Sequence, residues 1–585
     1  MSAAADPLDL DAPEAAGRVA RAGRIPPIWR RVVLGLLVVA FLVVGLRQAS
    51  QDAPTVDEGV DLSSGVTSLV RHDLRLVPEH PALPKALAAL PALFAHPKVP
   101  KTAAYREGRW FDYSDDFISA NAAAGRLHPM LMWARSVLLL EAVGCAALLY
   151  FLTRRSFGPD GGLLAAVAWL TTPYVVGLSH FAMIDIPFTL VTLGTCLVLA
   201  RWRDDPSVRR TLALGLVLGT ALASRHTGLV LVVVAFAVIA HRHRAVRREA
   251  VRAVAISGIV AVLVVWLVYR GIAPSTPTSV AAGQVPEQGV VAKLVHLLPL
   301  PWEWRAGFSF LSLTSTDRPS SLFGQSWDGG RIWYFPASAA LKLPFTLVLA
   351  IVAGWVVAVR TRAAALVDRL ELALVVALPG VALWVFLVLQ PLNLGLRLAM
   401  PVVALAYVGL GALPGLLASR GTGSVGPRVV AGALVVVLAV QLASSVTAAS
   451  HPLAWTPWPW HPSYQWVSDS NLDAGQGLYE VRRWARTHDH PFVAVDTTRG
   501  LAVEGGSRSM TKVPARRIHG WVAVGVTPLM QTRRDDLAWL RKYCPVDTLA
   551  GGSILVYRFV GVPDASPGPE RPVDPCFGAA ASRVR

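Results

Sequence analysis

The sequence predicts a polytopic α-helical membrane protein, of about 11 transmembrane helices, with a small C-terminal extracytoplasmic α/β domain. Three observations carry that prediction. Of 585 residues, 54% are hydrophobic and only 16% charged, well under the roughly one-quarter charge of a soluble domain. Apolar runs close to the ~20 residues that a bilayer crossing needs recur along the chain. The basic residues, which leave a net charge of +17, fall in short clusters between those runs. They do not gather into the single patch that binds nucleic acid. Composition thus excludes an ordinary soluble enzyme, and the charge distribution argues against a nucleic-acid partner.

Residues 1–31 are rich in Ala, Pro, Arg and Asp without periodicity and read as a disordered cytoplasmic tail. The first apolar run, 32–46, is short, but Ile28 and Trp29 extend it while Arg30 and Arg31 snorkel to the interface. The long basic tail before it, and the lack of an A-x-A site after it, favour an uncleaved anchor over a signal peptide. Further runs lie at 133–152, 163–176, 184–200, 212–223, 229–240, 254–268, 333–359, 372–389, 398–417 and 429–446. The pair flanking Ser224 is too short to cross upright and is either longer than its apolar letters or a re-entrant hairpin. Arginine clusters at 154–155, 201–210, 242–252, 360–369 and 420–428 occupy alternate loops, which the positive-inside rule places in the cytoplasm. The transmembrane domain is therefore drawn as 32–446 with external loops 47–132 and 270–332. The N-terminus is inside and the region 447–585 outside.

In that last region, strand patterns at 492–498, 521–527 and 553–559 and helical patterns at 478–487 and 535–543 predict a small α/β domain. Cys544 and Cys576 lie in it on the oxidising side, where a disulfide is open to them, whereas Cys145 and Cys196 sit in apolar runs as packing residues. No Cys/His cluster has zinc spacing. No cofactor is assigned, and a divalent metal is left open without a residue set to support it. Neither a phosphate loop nor a dinucleotide glycine fingerprint occurs. Asp9 and Asp11 form an Asp-x-Asp, but in the tail, across the membrane from the candidate site, and are read as chance.

Ionisable residues in or beside apolar runs need a partner or a function. Asp57 and Glu58 follow the first run, and His180 and Asp185 sit at the connection between 163–176 and 184–200. Arg225 and His226 separate the short pair, Lys342 lies inside 333–359, and Arg397 precedes 398–417. All face the outer side. Each alone also reads as a snorkelling or paired structural charge; their gathering on one side is what favours a site. Such cations can hold a phosphate, and a carboxylate can serve as general base or acceptor anchor. Glu141, in the middle of 133–152, has no such company and reads as one half of a structural pair. No nucleotide is available outside the cell, so an outward-facing transferase needs a donor already in the membrane.

Several fragments carry a resemblance. Thr55-Val56-Asp57-Glu58, followed by Val77-Pro78-Glu79-His80-Pro81, resembles the first external loop of glycosyltransferase family 39, the GT-C enzymes of the protein O-mannosyltransferase and aminoarabinose transferase type. The segment from His180 to Pro187 resembles that family's second acidic site. Trp333-Tyr334-Phe335-Pro336 through Leu341-Lys342-Leu343-Pro344 is similar to its Y-F-P…K-x-P segment. Asn393-Leu394-Gly395-Leu396-Arg397 resembles its N-x-G-x-R, and the stretch from Asp469 to Gln476 its D-S-N-x-D-W-G-Q. Departures are Ala474 for Trp, Arg225 for Lys, and Ala82 for the second proline of E-H-P-P-L.

The resemblance implies inverting transfer of a hexosyl (mannosyl-like) or pentosyl unit from a polyprenyl-phosphate donor. The acceptor is a hydroxyl of protein, lipid or polysaccharide at the outer face of the cell membrane. By position it makes Asp57, Asp185 and Glu79 the catalytic candidates, and gives Glu58, His80, Arg225, Lys342 and Arg397 to the substrate and the carrier phosphate. The alternative is a transporter or flippase for a lipid-linked sugar, which calls for inverted repeats and charges reachable from both sides. The sequence has no convincing repeat.

Overall fold

The computed structural model describes residues 24–275, 293, 295, 297–315, 318–360, 369–417, 426–495, 507–510, 513–530 and 535–573. Asp9, Asp11, most of the 1–31 tail and Cys576 lie outside the described residues. Within them, every apolar run forms helix. In chain order the bundle and its insertions comprise α1 (Pro27–Gln51), α2 (Val56–Arg71), α3 (Ala82–Ala92), α4 (Trp110–Ala123), α5 (Leu127–Phe157), α6 (Pro159–Thr171) and α7 (Pro173–Ser179). Next come α8 (Asp185–Asp204), α9 (Val208–Ser224), α10 (Gly228–Arg242), α11 (Arg247–Ile272) and α12 (Trp302–Thr314), followed by the hairpin β1 (Pro319–Leu322) and β2 (Gln325–Asp328). Then follow α13 (Tyr334–Lys342), α14 (Phe345–Arg360), α15 (Leu378–Leu389), α16 (Met400–Tyr407) and α17 (Pro427–Ala448).

Among the described residues, seven helices are long and apolar enough to cross a membrane, and two bent pairs raise the number to nine. The α9 and α10 helices, of 17 and 15 residues, reach only roughly 26 and 23 Å against a hydrocarbon core of ~30 Å. Outward-facing Leu36, Val39 and Val43 of α1, and Ile259, Leu263 and Leu267 of α11, are exposed. On a bundle these form the surface that lipid covers.

One expectation fails here. The run 333–359 is two helices, α13 and α14, meeting at 119°. Pro344 drives the residue before it out of the helical region, and Leu343 is accordingly extended (φ −102°, ψ 142°). Lys342 therefore sits at an elbow, not partway down a straight span. Pro173 breaks α6 from α7 by 63° in the same way. Nor is 47–132 a plain loop: α2, α3 and α4 fill it. The α2 helix begins with a capping box, in which the Thr55 hydroxyl accepts from the Glu58 amide at 3.1 Å and the Glu58 carboxylate accepts from the Thr55 amide at 3.3 Å.

Beyond α17 the chain folds into a five-stranded sheet, ordered β4-β3-β5-β7-β6, preceded by α18 (Leu478–Ala485). Its strands are β3 (Phe492–Ala494), β4 (Arg508–Ser509), β5 (Gly520–Gly525), β6 (Asp547–Leu549) and β7 (Ile554–Phe559). Both neighbours of β3 run parallel to it, whereas β7 is antiparallel to β5 and to β6. Val481 of α18 packs on Val493, Ala523 and Ile554, which binds the helix to the sheet through a small apolar core. The helical pattern at 535–543 is a 3-10 helix, Asp535–Lys542. Cys544 is disulfide-bonded, and Cys145 and Cys196 are free and buried.

Candidate active site

At the end of the bundle that carries α2, a cavity of about 470 Å³ gathers Asp57, Glu79, His80, Asp185, Arg225 and Arg397. These are six of the residues singled out by sequence. Consecutive residues on a helix point about 100° apart, and the first turn of α2 uses that difference. Asp57 turns into the cavity, its side chain 43% exposed, whereas Glu58 turns away and is fully buried.

Three acid–arginine pairs surround the space. Asp57 pairs with Arg397, Asp185 with Arg225 at 2.9 Å, and Glu79 with Arg318. Burial alone would raise the Asp57 carboxyl, but the Arg397 guanidinium outweighs it and holds Asp57 below the usual carboxylate range. Asp469, within reach of the same guanidinium, stays above that range because burial dominates there. His80 Nδ1 lies 3.4 Å from Asp61.

Local packing fixes each of these groups. Arg397 follows Gly395, whose φ of +84° suits glycine and whose missing Cβ would stand 2.3 Å from Ser470 Oγ. The Gly395 amide donates to the Tyr334 hydroxyl (2.8 Å), the Leu396 amide to Asn471 Oδ1 (2.8 Å), and Ser470 Oγ to the Leu394 carbonyl (2.8 Å). Three of the fragments read from sequence, around 334, 393–397 and 469–476, are thus one hydrogen-bonded knot behind Arg397. On the opposite wall, buried Lys85 donates to the carbonyls of Val77 (2.9 Å) and His80 (2.8 Å), holding the turn that presents Glu79. Burial lowers the Lys85 ammonium to about 8, against opposing attraction from Asp61 and Glu79. The α12 helix meets that turn so closely that a Cβ on Gly307 would lie 1.9 Å from the Pro78 carbonyl.

Two of the sequence candidates do not face the cavity. Glu58 accepts from Arg135 Nε (2.8 Å) and its terminal nitrogen (2.6 Å), and from the Ala182 amide (3.0 Å). Arg135 also donates to the carbonyls of Ala49 (2.6 Å) and Asp52 (2.8 Å). Glu58 thereby locks α1, α2, α5 and the chain before α8 together, and the Arg135 guanidinium overrides burial to keep it ionised, below its ordinary value. Lys342, fully buried, donates to the carbonyls of Leu453 (2.7 Å) and Trp455 and lies over the Tyr174 ring at 5.5 Å. Its partner is backbone, where the resemblance implied the carrier phosphate. Glu141 makes no ion pair among the described residues, and its Oε2 is buried without a hydrogen-bond partner.

The cavity also contains groups that sequence reasoning left out of the site. Arg318 and Asp61 line it, yet nothing in the external segments distinguishes them from neighbouring charges. His226 lines it too, buried with both ring nitrogens lacking a hydrogen bond. Its ring meets Trp304 edge-on at 4.7 Å. Burial, then the nearby charges of His80, Lys85 and Arg225, push His226 down to about 3, so it is a neutral imidazole at physiological pH. The apolar part of the lining includes Phe111, Phe308, Leu311, Phe386 and Leu398, beside the uncharged polar side chains of Thr227, Ser312, Ser315 and Gln390. Among the described residues, no group of three or more His, Cys, Asp or Glu side chains could hold a metal ion.

Residues 132–282 match the family model described as dolichyl-phosphate-mannose-protein mannosyltransferase, the same kind of transferase that the sequence fragments resemble. The matched segment contains Asp185, Arg225 and His226. No curated protein matches the chain in sequence. Among solved structures, the chain is similar to ArnT from Cupriavidus metallidurans bound to undecaprenyl phosphate. The identity is 15% and the TM-score 0.45, over 78% of this chain and 70% of that one. It is also similar to the Archaeoglobus fulgidus oligosaccharyltransferase in the apo form, at 11% identity and a TM-score of 0.44, over 86% of this chain and 71% of that one.

Proposed function

We propose that the chain is an integral membrane glycosyltransferase of the GT-C kind. It would transfer a hexosyl, mannosyl-like, or pentosyl unit from a polyprenyl-phosphate donor to an acceptor hydroxyl at the outer face of the membrane. The observation that carries this reading is the cavity in which three acid–arginine pairs meet an apolar wall at one end of a helical bundle. A polyprenyl-phosphate sugar has the same division: an isoprenoid chain, one phosphate and a polar sugar. The family match over 132–282 supports the same assignment.

In the proposed reaction the acceptor oxygen attacks the anomeric carbon from the face opposite the phosphate. The carbon–oxygen bond to phosphate breaks, and the phosphate departs with the electron pair. Arg397 and Arg225 meet the charge that develops on it. The acceptor proton passes to Asp57, whose carboxylate is ionised in the free site and gains basicity once the donor phosphate draws Arg397 away from it. Asp185, tied to Arg225, orients that guanidinium and the sugar, and Glu79 with Arg318 borders the acceptor side. His226 offers its unused ring nitrogens to sugar hydroxyls as a neutral group. Lys342 acts outside the chemistry, as a stitch between the α13 elbow and the segment after α17. The cavity end and the C-terminal sheet are assigned to the extracytoplasmic side, on the arginine distribution of the loops.

The test is reconstitution in liposomes with radiolabelled polyprenyl-phosphate mannose and pentose donors and an envelope extract as acceptor. Transfer of label to the extract with release of polyprenyl phosphate is expected. Translocation of intact donor across the bilayer without transfer would establish the flippase alternative instead. Ala565→Cys, in an exposed stretch of the C-terminal region, should react with an impermeant thiol reagent on intact cells. Reaction only after lysis would reverse the orientation and remove the site from the outer face.

A further inference from the structure

A second cavity, of about 510 Å³, lies at the opposite end of the bundle, between α1, α5 and α6. Its lining is amphiphilic along its length. At the terminus Arg30 and Arg31 of α1 face Arg154 of α5; deeper in, Leu34 and Val38 of α1 face Val143 and Ala147 of α5. These positions repeat at the three- and four-residue spacing of one helix face. From Arg154 to Val143 is eleven residues, on the order of 16 Å of helix, enough to take a substantial part of an acyl chain. Trp29, 60% exposed, stands beside the arginines on the outer surface of α1. Tryptophan at that place marks the interface between headgroups and hydrocarbon.

The charges do not cancel within the protein. Asp160 compensates Arg30 at 3.2 Å, and it also accepts from the Arg24 and Ile25 amides. The nearby Asp204 and Glu371 are taken up by Arg155, at 2.7 Å for Asp204. Arg31 and Arg154 have no carboxylate partner among the described residues. They leave a doubly cationic mouth over an apolar slot, at the headgroup level of the leaflet opposite the candidate active site.

We propose that this cavity binds an anionic phospholipid, with the headgroup phosphate on Arg31 and Arg154 and one acyl chain along Leu34, Val38 and Val143. Basic pockets between membrane helices on the cytoplasmic side recognise acidic headgroups in this way. The site is separate from the donor cavity: α1 and α5 each run the depth of the bundle between them, and no residue lines both. Because it pins α1 to α5, whose other ends carry Asp52 and Arg135 beside the candidate active site, occupancy would hold the two helices in register.

The test uses the full chain in neutral detergent, with thermal stability read against added phosphatidylglycerol, phosphatidylcholine or inorganic phosphate. Phosphatidylglycerol should raise the melting temperature by several degrees more than phosphatidylcholine. Arg31→Gln with Arg154→Gln should abolish that difference, and Arg31→Lys with Arg154→Lys should keep most of it. Native mass spectrometry of the same samples should show one retained phosphatidylglycerol in the parent and none in the glutamine variant. Equal stabilisation by both lipids, or discrimination that survives in the glutamine variant, would overturn the proposal. So would an equal effect of inorganic phosphate, which would make the mouth a simple anion site. If the glutamine variant does not fold, the lysine variant decides: loss of lipid discrimination with charge retained would refute a headgroup site built on charge.

Discussion

Adjacent carboxylates at the start of α2 should fail in opposite ways when their charge is removed. Glu58 accepts two hydrogen bonds from Arg135 and one each from the Thr55 and Ala182 amides. In Glu58→Gln the amide nitrogen must face either the guanidinium or a backbone donor, and Arg135, 1% exposed, is left without its counter-charge. Breaking one side of a buried pair costs about 3 to 5 kcal/mol. Asp57 instead opens into the cavity, and Arg397 retains Asp185 and Asp469 nearby. Asp57→Asn should therefore leave stability within about 1 kcal/mol of the parent. Its cost falls on the reaction, about 100-fold in transfer rate if Asp57 is the base, or roughly 2.7 kcal/mol of barrier. The assay pairs melting temperature in detergent with initial transfer rate in liposomes. Glu58→Gln folding like the parent while losing transfer, or Asp57→Asn transferring within a few-fold of it, would refute the division of roles.

Lys342→Met should lower stability by about 2 kcal/mol through loss of two hydrogen bonds to buried backbone carbonyls, while donor affinity in a binding titration stays near the parent value. Weakened donor binding in a stable variant would return Lys342 to the site. Lys85 supplies a pH signature: the folded chain releases its proton near pH 8, whereas the unfolded chain holds it to about 10.5. Between those values the unfolded state binds more protons, so this group makes stability rise with pH, by up to about 3 kcal/mol. Denaturant unfolding from pH 8 to 10.5 should show that rise in the parent and its absence in Lys85→Met. Gly307→Ala drives a methyl into the Pro78 carbonyl and towards His226 Nε2, 3.2 Å away. It should lower kcat/KM at least about 10-fold with the circular-dichroism spectrum unchanged.

Much of the bundle was legible because apolarity over a bilayer's thickness is a one-dimensional signal, and each run from 32–46 to 429–446 is helical. What escaped was bending. Pro344 and Pro173 stand in the sequence, but whether proline kinks a span by 63° or folds it back by 119° depends on what packs around the elbow. For α13 and α14 that is the Lys342 stitch to Leu453 and Trp455. Out-of-place charges brought Asp57, Asp185, Arg225 and Arg397 to one cavity because burying an ion demands a partner. The same rule could not say which partner. Two signals for Glu58 went unread: Arg135 stands inside the run 133–152 as a cation in need of an acid, and Thr55-x-x-Glu58 has the spacing of a capping box. Arg318 carries no such local signal, and tertiary contact alone brings it in; His226 stood among the out-of-place charges beside Arg225, but only its packing against Trp304 in the cavity wall gives it a place there.

The three acid–arginine pairs also bear on how turnover ends. On the proposed reading the donor arrives as a phosphodiester with a single negative charge, while the spent carrier is a monoester of roughly −1.5 to −2 near neutral pH. Unopposed arginines would grip the spent carrier harder than the substrate, and the catalyst would choke on its own leaving group. Asp57, Asp185 and Glu79, each already within bonding distance of a guanidinium, are tethered competitors waiting to reclaim it. They weaken binding of both ligands by competing for the guanidiniums, and their own charge repels the more highly charged monoester more strongly than the diester. On that reading the carboxylates paired with these arginines serve as an ejector, trading ground-state grip for release.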